Sequence, residues 1–276
     1  MTHLVIPDTQ VKPGVPTDHL LWIGKYILDI KPDKIIHLGD HWDFPSLSLW
    51  DKGKKAMEGR RISEDIKAGN RALRLLDEPT YKSNWAKTDR GTGELYEPEK
   101  WLLRGNHEDR LRRAIEGDAT LDGLLTMDAL ESPGWNVVDF LVPQFIDGIG
   151  YCHYWPNAMG KPIAGMMETR LKNIGHSFVA GHQQTLQVGI RFIQGPRGPL
   201  KQRGLVAGAC YLHDEDYMGP QGNAHWRGIV VLHEVKDGGY DLMEVSLDYL
   251  CRRYEGVPIE QFMSEKYPDL SSALYH

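Results

Sequence analysis

Apolar and polar positions change rhythm along this chain, and each change predicts an element. Leu4-Val5-Ile6 is a short unbroken apolar run, read as a buried strand. The breakers Lys12-Pro13-Gly14-Val15-Pro16 follow, and then Thr17 stands as an N-cap before Leu20, Ile23, Ile27 and Ile30 at helical spacing. Lys31-Pro32-Asp33 ends that helix, and Lys34 to Leu38 is a second strand. Strand, helix, strand predicts a parallel pair with a right-handed crossover. Ile62, Ile66, Leu73 and Leu76 mark an amphipathic helix inside a long excursion over residues 44–99, whose polar part from Tyr81 to Pro98 reads as a surface loop. A third strand ends at Leu103, and Leu111, Ala114 and Ile115 predict a helix after it.

The second half reads differently. Phe145 to His153, Ser177 to Ala180, Leu186 to Ile193, Leu205 to Tyr211, Arg227 to Val235 and Tyr240 to Leu247 all read as strands. Gly195-Pro196-Arg197-Gly198-Pro199 connects two of them, and Asp237-Gly238-Gly239 is a hairpin turn. A parallel first half and a hairpin-rich second half predict an α/β (α+β) fold: two mixed β-sheets packed face to face, with helices outside. The expected organisation is one domain over residues 1–248, carrying a helix-and-loop insertion at about 44–99, and a C-terminal extension over 249–276.

Several of these strands end in residues that bind metals. Asp8-Thr9-Gln10 follows the first, Gly39-Asp40-His41-Trp42-Asp43 the second, and Gly105-Asn106-His107-Glu108 the third. His153 closes the Phe145 strand, and Gly181-His182-Gln183-Gln184 follows Ala180. Strands of one sheet end on a common edge, so residues far apart in sequence converge there. Phosphate-ester hydrolysis needs an activated water and a sink for phosphoryl charge, and two metal ions roughly 3.5–4 Å apart supply both. Asp40, at a Gly-assisted turn, is the natural bridge between them. Asp8 serves one ion; Asn106, His153 and His182 serve the other.

In this order the blocks resemble the pattern of the calcineurin-like metallophosphoesterases and of their phage and bacterial members: D-x-H, G-D-x-x-D, G-N-H-[DE], H, G-H-x-H. The resemblance spans about Asp8 to Gln184, and the G-D-x-x-D and G-N-H-E blocks are its specific part. It implies a four-layer fold of two packed sheets flanked by helices, and hydrolysis of phosphomonoesters or phosphodiesters with two bound divalent metals. Where the family has histidine, this chain has Gln10 and Gln184, which the resemblance assigns to one ion with Asp8 and Asp40. The other ion takes Asp40, Asn106, His153 and His182. Oxygen donors suit Mg²⁺ or Mn²⁺, and imidazoles suit Mn, Fe, Zn or Ni, so Mn²⁺ is expected first. The family places His107 beside the leaving group, paired with Asp43, as a general acid. Phe44 replaces the arginine that many members carry after that aspartate. His41 and Arg110 are therefore the expected substrate contacts.

Composition narrows the reading. With 276 residues, 41% of them hydrophobic, the chain builds a substantial core. A net charge of -6 supplies no global attraction to nucleic acid. Lys52, Lys54, Lys55, Arg60 and Arg61, near Trp42, Phe44 and Trp50, are nevertheless a local basic and aromatic segment, and Arg110, Arg112 and Arg113 follow the Asn106 block. The three separated cysteines fit a reducing compartment and no cysteine-type zinc site. No leader pattern and no run near the roughly 20 apolar residues of a membrane span is visible, so a cytoplasmic hydrolase without membrane contact is expected. Within that class the basic loop and the missing arginine favour phosphodiester hydrolysis, as a nuclease or nucleotide phosphodiesterase. The alternatives are a protein or small-molecule phosphomonoesterase, or a scaffold that kept the fold and lost strong catalysis. A scaffold has no use for Asp43 and His107.

Overall fold

The structure is a computed structural model and describes residues 1–195, 198–215 and 225–270. Its first sheet runs β11-β10-β1-β2-β3-β4 and its second β5-β6-β7-β9-β8. In the first, β1 (His3–Ile6), β2 (Lys34–His37), β3 (Glu99–Leu103) and β4 (Asn136–Val138) are parallel, while β10 (Gly228–Lys236) and β11 (Gly239–Ser246) add an antiparallel hairpin to β1. In the second, β6 (Ile149–Cys152), β7 (Phe178–Ala180) and β9 (Gly198–Ala207) are parallel, flanked by antiparallel β5 (Gln144–Ile146) and β8 (Leu186–Gly195). Both sheets are therefore mixed.

The period of two along each strand divides the core. Leu4 and Ile6 face α1 (Asp18–Ile30), α2 (Ile62–Arg90), α5 (Leu247–Glu255) and α6 (Ile259–Lys266). Val5, between them, faces the second sheet with Ile36, Leu38, Val179 and Leu205. The outer face of the second sheet carries α4 (Met167–Ile174), with Met167 and Leu171 on Phe178 and Val206. The order is helices, sheet, sheet, helix. Helices α5 and α6, within the segment read as an extension, cover α1: Trp22 donates to Glu255 at 2.7 Å and meets the Phe262 ring at 5.1 Å. No helix among the described residues is long and apolar enough to cross a membrane.

Several expectations change. Helix α2 continues through Pro79 to Arg90, so only residues 91–98 form a loop there. Its last turns project past the core, with Tyr81 and Trp85 exposed, and therefore lack an apolar stripe. Asn84 holds that end by exchanging two hydrogen bonds with the Tyr96 backbone, at 2.8 and 3.0 Å. The Phe145 to His153 segment is a hairpin, because Asp147 and Gly148 both take positive φ (49° and 81°) and form a two-residue turn. The Asp237-Gly238 hairpin forms as expected but joins the first sheet. Thr17 precedes α1 without a side-chain cap bond. Of the Gly195 to Pro199 connection, Pro196 and Arg197 lie outside the described residues, while Gly195 pairs with Gly198.

Candidate metal centre

The parallel strands β1, β2 and β3 deliver Asp8, Asp40 and Asn106 to one edge, and β6 and β7 deliver His153 and His182. The two sets meet where His153 Nδ1 bonds the Leu38 carbonyl at 2.8 Å. One ligand atom each from Asp40, His153 and His182 lies within 4.8 Å of the others. Gln10, Asp40, His182 and Gln184 all hold positive φ, between 40° and 65°. Non-glycine residues there are strained, and such strain concentrates where geometry serves a site.

The turn that aims Asp40 is built from glycines and one buried carboxylate. A Cβ on Gly105 would stand 2.1 Å from Asp40 Oδ1, so only glycine fits. Glu108, at the start of α3 (Glu108–Gly117), accepts the backbone N–H groups of His41 and Trp42 on one oxygen (2.6 and 2.9 Å). Its other oxygen accepts those of Asp40 and Gly105 (3.0 and 2.7 Å). The carboxylate thus fastens the second block to the third.

The donor set fits a cation. His153 Nδ1 faces a carbonyl and so carries a proton; Nε2 then points at two acceptors, Asn106 Oδ1 at 3.0 Å and Asp40 Oδ2 at 3.3 Å. Neutral His153 would set lone pairs against lone pairs, which a positive charge relieves. Burial lowers the His153 pKa, but Asp40 and Asp8 outweigh it and push it up to about 9. Burial would raise Asp40, yet His107 and His153 hold it well below the carboxylate range. Asp8 goes up to about 7 through burial, with Asp40 adding to the rise, although both its oxygens accept the His182 N–H (3.0 and 3.1 Å). Burial, then the His153 charge, lowers His182 to about 4, leaving its imidazole neutral. Gln10 Oε1 is buried without a partner among the described residues. Gln184 Oε1 accepts from the Tyr211 hydroxyl at 2.9 Å.

His107 stands beside this cluster. Its backbone N–H donates to Asp40 Oδ1 (2.9 Å), its Nδ1 to Asp43 Oδ1 (2.6 Å), and its Nε2 accepts from Arg110 Nη2 (3.0 Å). Burial opposes a charge on it, but Asp40 and Asp43 raise its pKa overall. Lys12 approaches the other Asp43 oxygen at 3.4 Å and bonds Glu215 at 2.8 Å, and Glu215 in turn bonds His213 at 2.8 Å.

His41 departs from expectation. It is fully buried, with Nδ1 on Thr9 Oγ1 (2.7 Å) and Nε2 on the Gly69 carbonyl (3.0 Å), so both nitrogens are committed inside the fold. Arg110 lies beside His107, whereas Arg112 and Arg113 pair with Asp109 and Glu116. Lys12, Glu215 and Tyr211 carry no motif. Glu108 has one, as the last letter of G-N-H-E, but only the fold reveals the four amides it binds.

No protein-family model matches the chain. The Gene 54 protein of Mycobacterium phage L5 is 42% identical over 62 residues, and that of Mycobacterium phage D29 is 39% identical over 62. Each match covers 22% of this chain and only 24% of the phage protein. The crystal structure of TT1561 of Thermus thermophilus aligns over 88% of this chain and 98% of its own, at 10% identity and a TM-score of 0.37. A second solved structure aligns over 89% and 99%, at 13% identity and a TM-score of 0.38.

Proposed function

We propose that the chain is a calcineurin-like metallophosphoesterase that hydrolyses phosphate esters, phosphodiesters of a nucleic acid or nucleotide before phosphomonoesters. The observation that carries this reading is His153 Nε2 facing Asp40 Oδ2 and Asn106 Oδ1, with His182 in reach and the His107–Asp43 pair adjoining. Asp40, Asn106, His153 and His182 would hold one divalent ion, and Asp8, Gln10, Asp40 and Gln184 a second, with Mn²⁺ preferred. When bound, such ions supply an activated water and neutralise phosphoryl charge.

The remaining roles belong to the chain. Asp43 fixes the His107 ring through Nδ1, so Nε2 is the atom that gives a proton to the leaving oxygen. Arg110 now donates to that nitrogen, an arrangement that opposes the proton which Asp40 and Asp43 favour on the ring. A phosphoryl oxygen offers the guanidinium a stronger acceptor, so substrate binding draws Arg110 away and lets Nε2 take up from solvent the proton it then gives to the leaving oxygen. Arg110 thereby takes the part of the arginine that Phe44 displaces.

The test is hydrolysis of bis(nitrophenyl) phosphate and nitrophenyl phosphate by stripped protein given Mn²⁺, Mg²⁺, Zn²⁺ or Ni²⁺. Metal-dependent turnover, faster on the diester, is expected, and Asp40→Asn should lose both bound metal and turnover. Faster turnover of the monoester would favour the phosphatase alternative. A stripped protein that binds no dication and hydrolyses neither compound would leave only the scaffold.

A further inference from the structure

The loop that leaves Asp43 carries an unusual surface. Trp50 is 86% exposed and Leu49 71%. An indole in water forgoes a large burial gain, and wide exposed aromatic surface marks a contact site. Residues 49–61 hold five basic side chains and two acidic ones, in a chain whose net charge is -6. Asp51 is engaged by Arg60 (2.9 Å) and Lys54 (3.4 Å). Lys52 and Lys55 are exposed and have no carboxylate partner among the described residues. The α3 arginines offer no comparable surface, since Arg112 and Arg113 are neutralised and Arg110 is turned inward.

The loop is tied to the site at its base. Arg60 donates to the Pro45 carbonyl at 3.0 Å, Ser46 Oγ donates to Asp65 at 2.6 Å, and Arg110 donates to the Asp43 carbonyl at 2.9 Å while bonding His107. Trp50 follows Asp43 by only a short stretch of chain, so its Cα lies within about 25 Å of the Asp43 Cα.

We infer that Trp50 with Lys52, Lys54 and Lys55 is a binding surface for single-stranded nucleic acid, which it guides toward the metal centre. The lysines fit a phosphate backbone, and the indole fits a base free of its own stack; a duplex hides its base faces. The inference rests on the proposed phosphodiesterase function for its purpose, but binding is separable from hydrolysis.

The test uses the full chain in chelator, so that no strand is cut, with a fluorescently labelled mixed-sequence single strand read by anisotropy. Wild type should bind it more tightly than the matching duplex. Trp50→Ala should weaken binding about 5- to 100-fold, and Trp50→Phe should recover most of it. Lys52→Ala, Lys54→Ala and Lys55→Ala together should reduce the slope of log affinity against log salt by about 2. Circular dichroism should be unchanged, since the side chains are exposed. Turnover of bis(nitrophenyl) phosphate by Trp50→Ala with added Mn²⁺ should equal that of wild type. No single-strand binding by wild type, or unchanged affinity in Trp50→Ala, overturns the inference and leaves the hydrolase reading standing. Equal binding of heparin or phosphatidylserine vesicles, with the same response to Trp50→Ala, overturns it in favour of a general anion surface. Strand binding by a protein that hydrolyses no diester keeps the inference and removes the phosphodiesterase reading.

Discussion

Replacing Glu108 by glutamine tests whether one buried carboxylate holds the turns of the candidate metal centre in place. In the native chain each oxygen accepts two backbone N–H groups: those of His41 and Trp42 on one, those of Asp40 and Gly105 on the other. Glutamine keeps one oxygen and sets an amide NH₂ against the other two donors. Two hydrogen bonds to a charged group are lost, each worth about 1.5–3 kcal/mol, or roughly 3–6 kcal/mol together. Burial, with Asp40 close by, raises the Glu108 pKa, so removing the charge offsets part of that loss. The net loss is therefore near the lower end of that range, about 3 kcal/mol, and at ~2–4 °C per kcal/mol Tm should fall by about 6–12 °C. Asp40 shifts with its own N–H, so affinity for Mn²⁺ should drop about 10–100-fold, as when a partner of a metal ligand is removed. Thermal unfolding by circular dichroism and calorimetric titration of the stripped protein measure the two effects. An unchanged Tm together with an unchanged affinity would refute the structural role argued for Glu108.

Three further outcomes are expected. His107→Ala should keep its metal by elemental analysis while losing rate ~10²–10⁴-fold on an alkyl ester and much less on a nitrophenyl ester; equal losses would exclude leaving-group protonation by His107. Gln10→His with Gln184→His should tighten the weaker ion and shift preference toward Zn²⁺, read by titration calorimetry, and no tightening would remove both glutamines from the ligand set. Burial works to raise the Asp18 pKa, but hydrogen bonds from Lys266 and Tyr267, both at 2.5 Å, hold it below the ordinary value. A depressed carboxylate contributes stability that is present above the unfolded pKa and lost as pH falls through the folded one. Asp18→Asn should therefore lower Tm at pH 7, and the decrease should shrink as pH falls below the ordinary carboxylate range; an equal decrease throughout would point to lost packing rather than lost charge.

Residue order alone located the elements that bury one side and the blocks at their ends. Leu4-Val5-Ile6 before Asp8, and Ile35-Ile36 before Asp40, are legible because a buried strand must be apolar and its end must turn. The same local reasoning fails where the deciding contact is distant. Nothing near Pro79 says that α2 continues to Arg90, because Asn84 and Tyr96 settle that together. Nothing in the Asp237-Gly238 hairpin says which sheet receives it; the pairing of β10 with β1 does. His41, one residue from Asp40, looks like a site residue until Thr9 and Gly69 occupy both its nitrogens. Glu215, Lys12 and Tyr211 carry no motif, and only the folded chain sets them against Asp43 and Gln184. Local patterning thus determined what each segment can do, since periodicity and turn chemistry act over a few residues. The tertiary structure decided which charges face one another, because electrostatics and hydrogen bonding depend on distance in space.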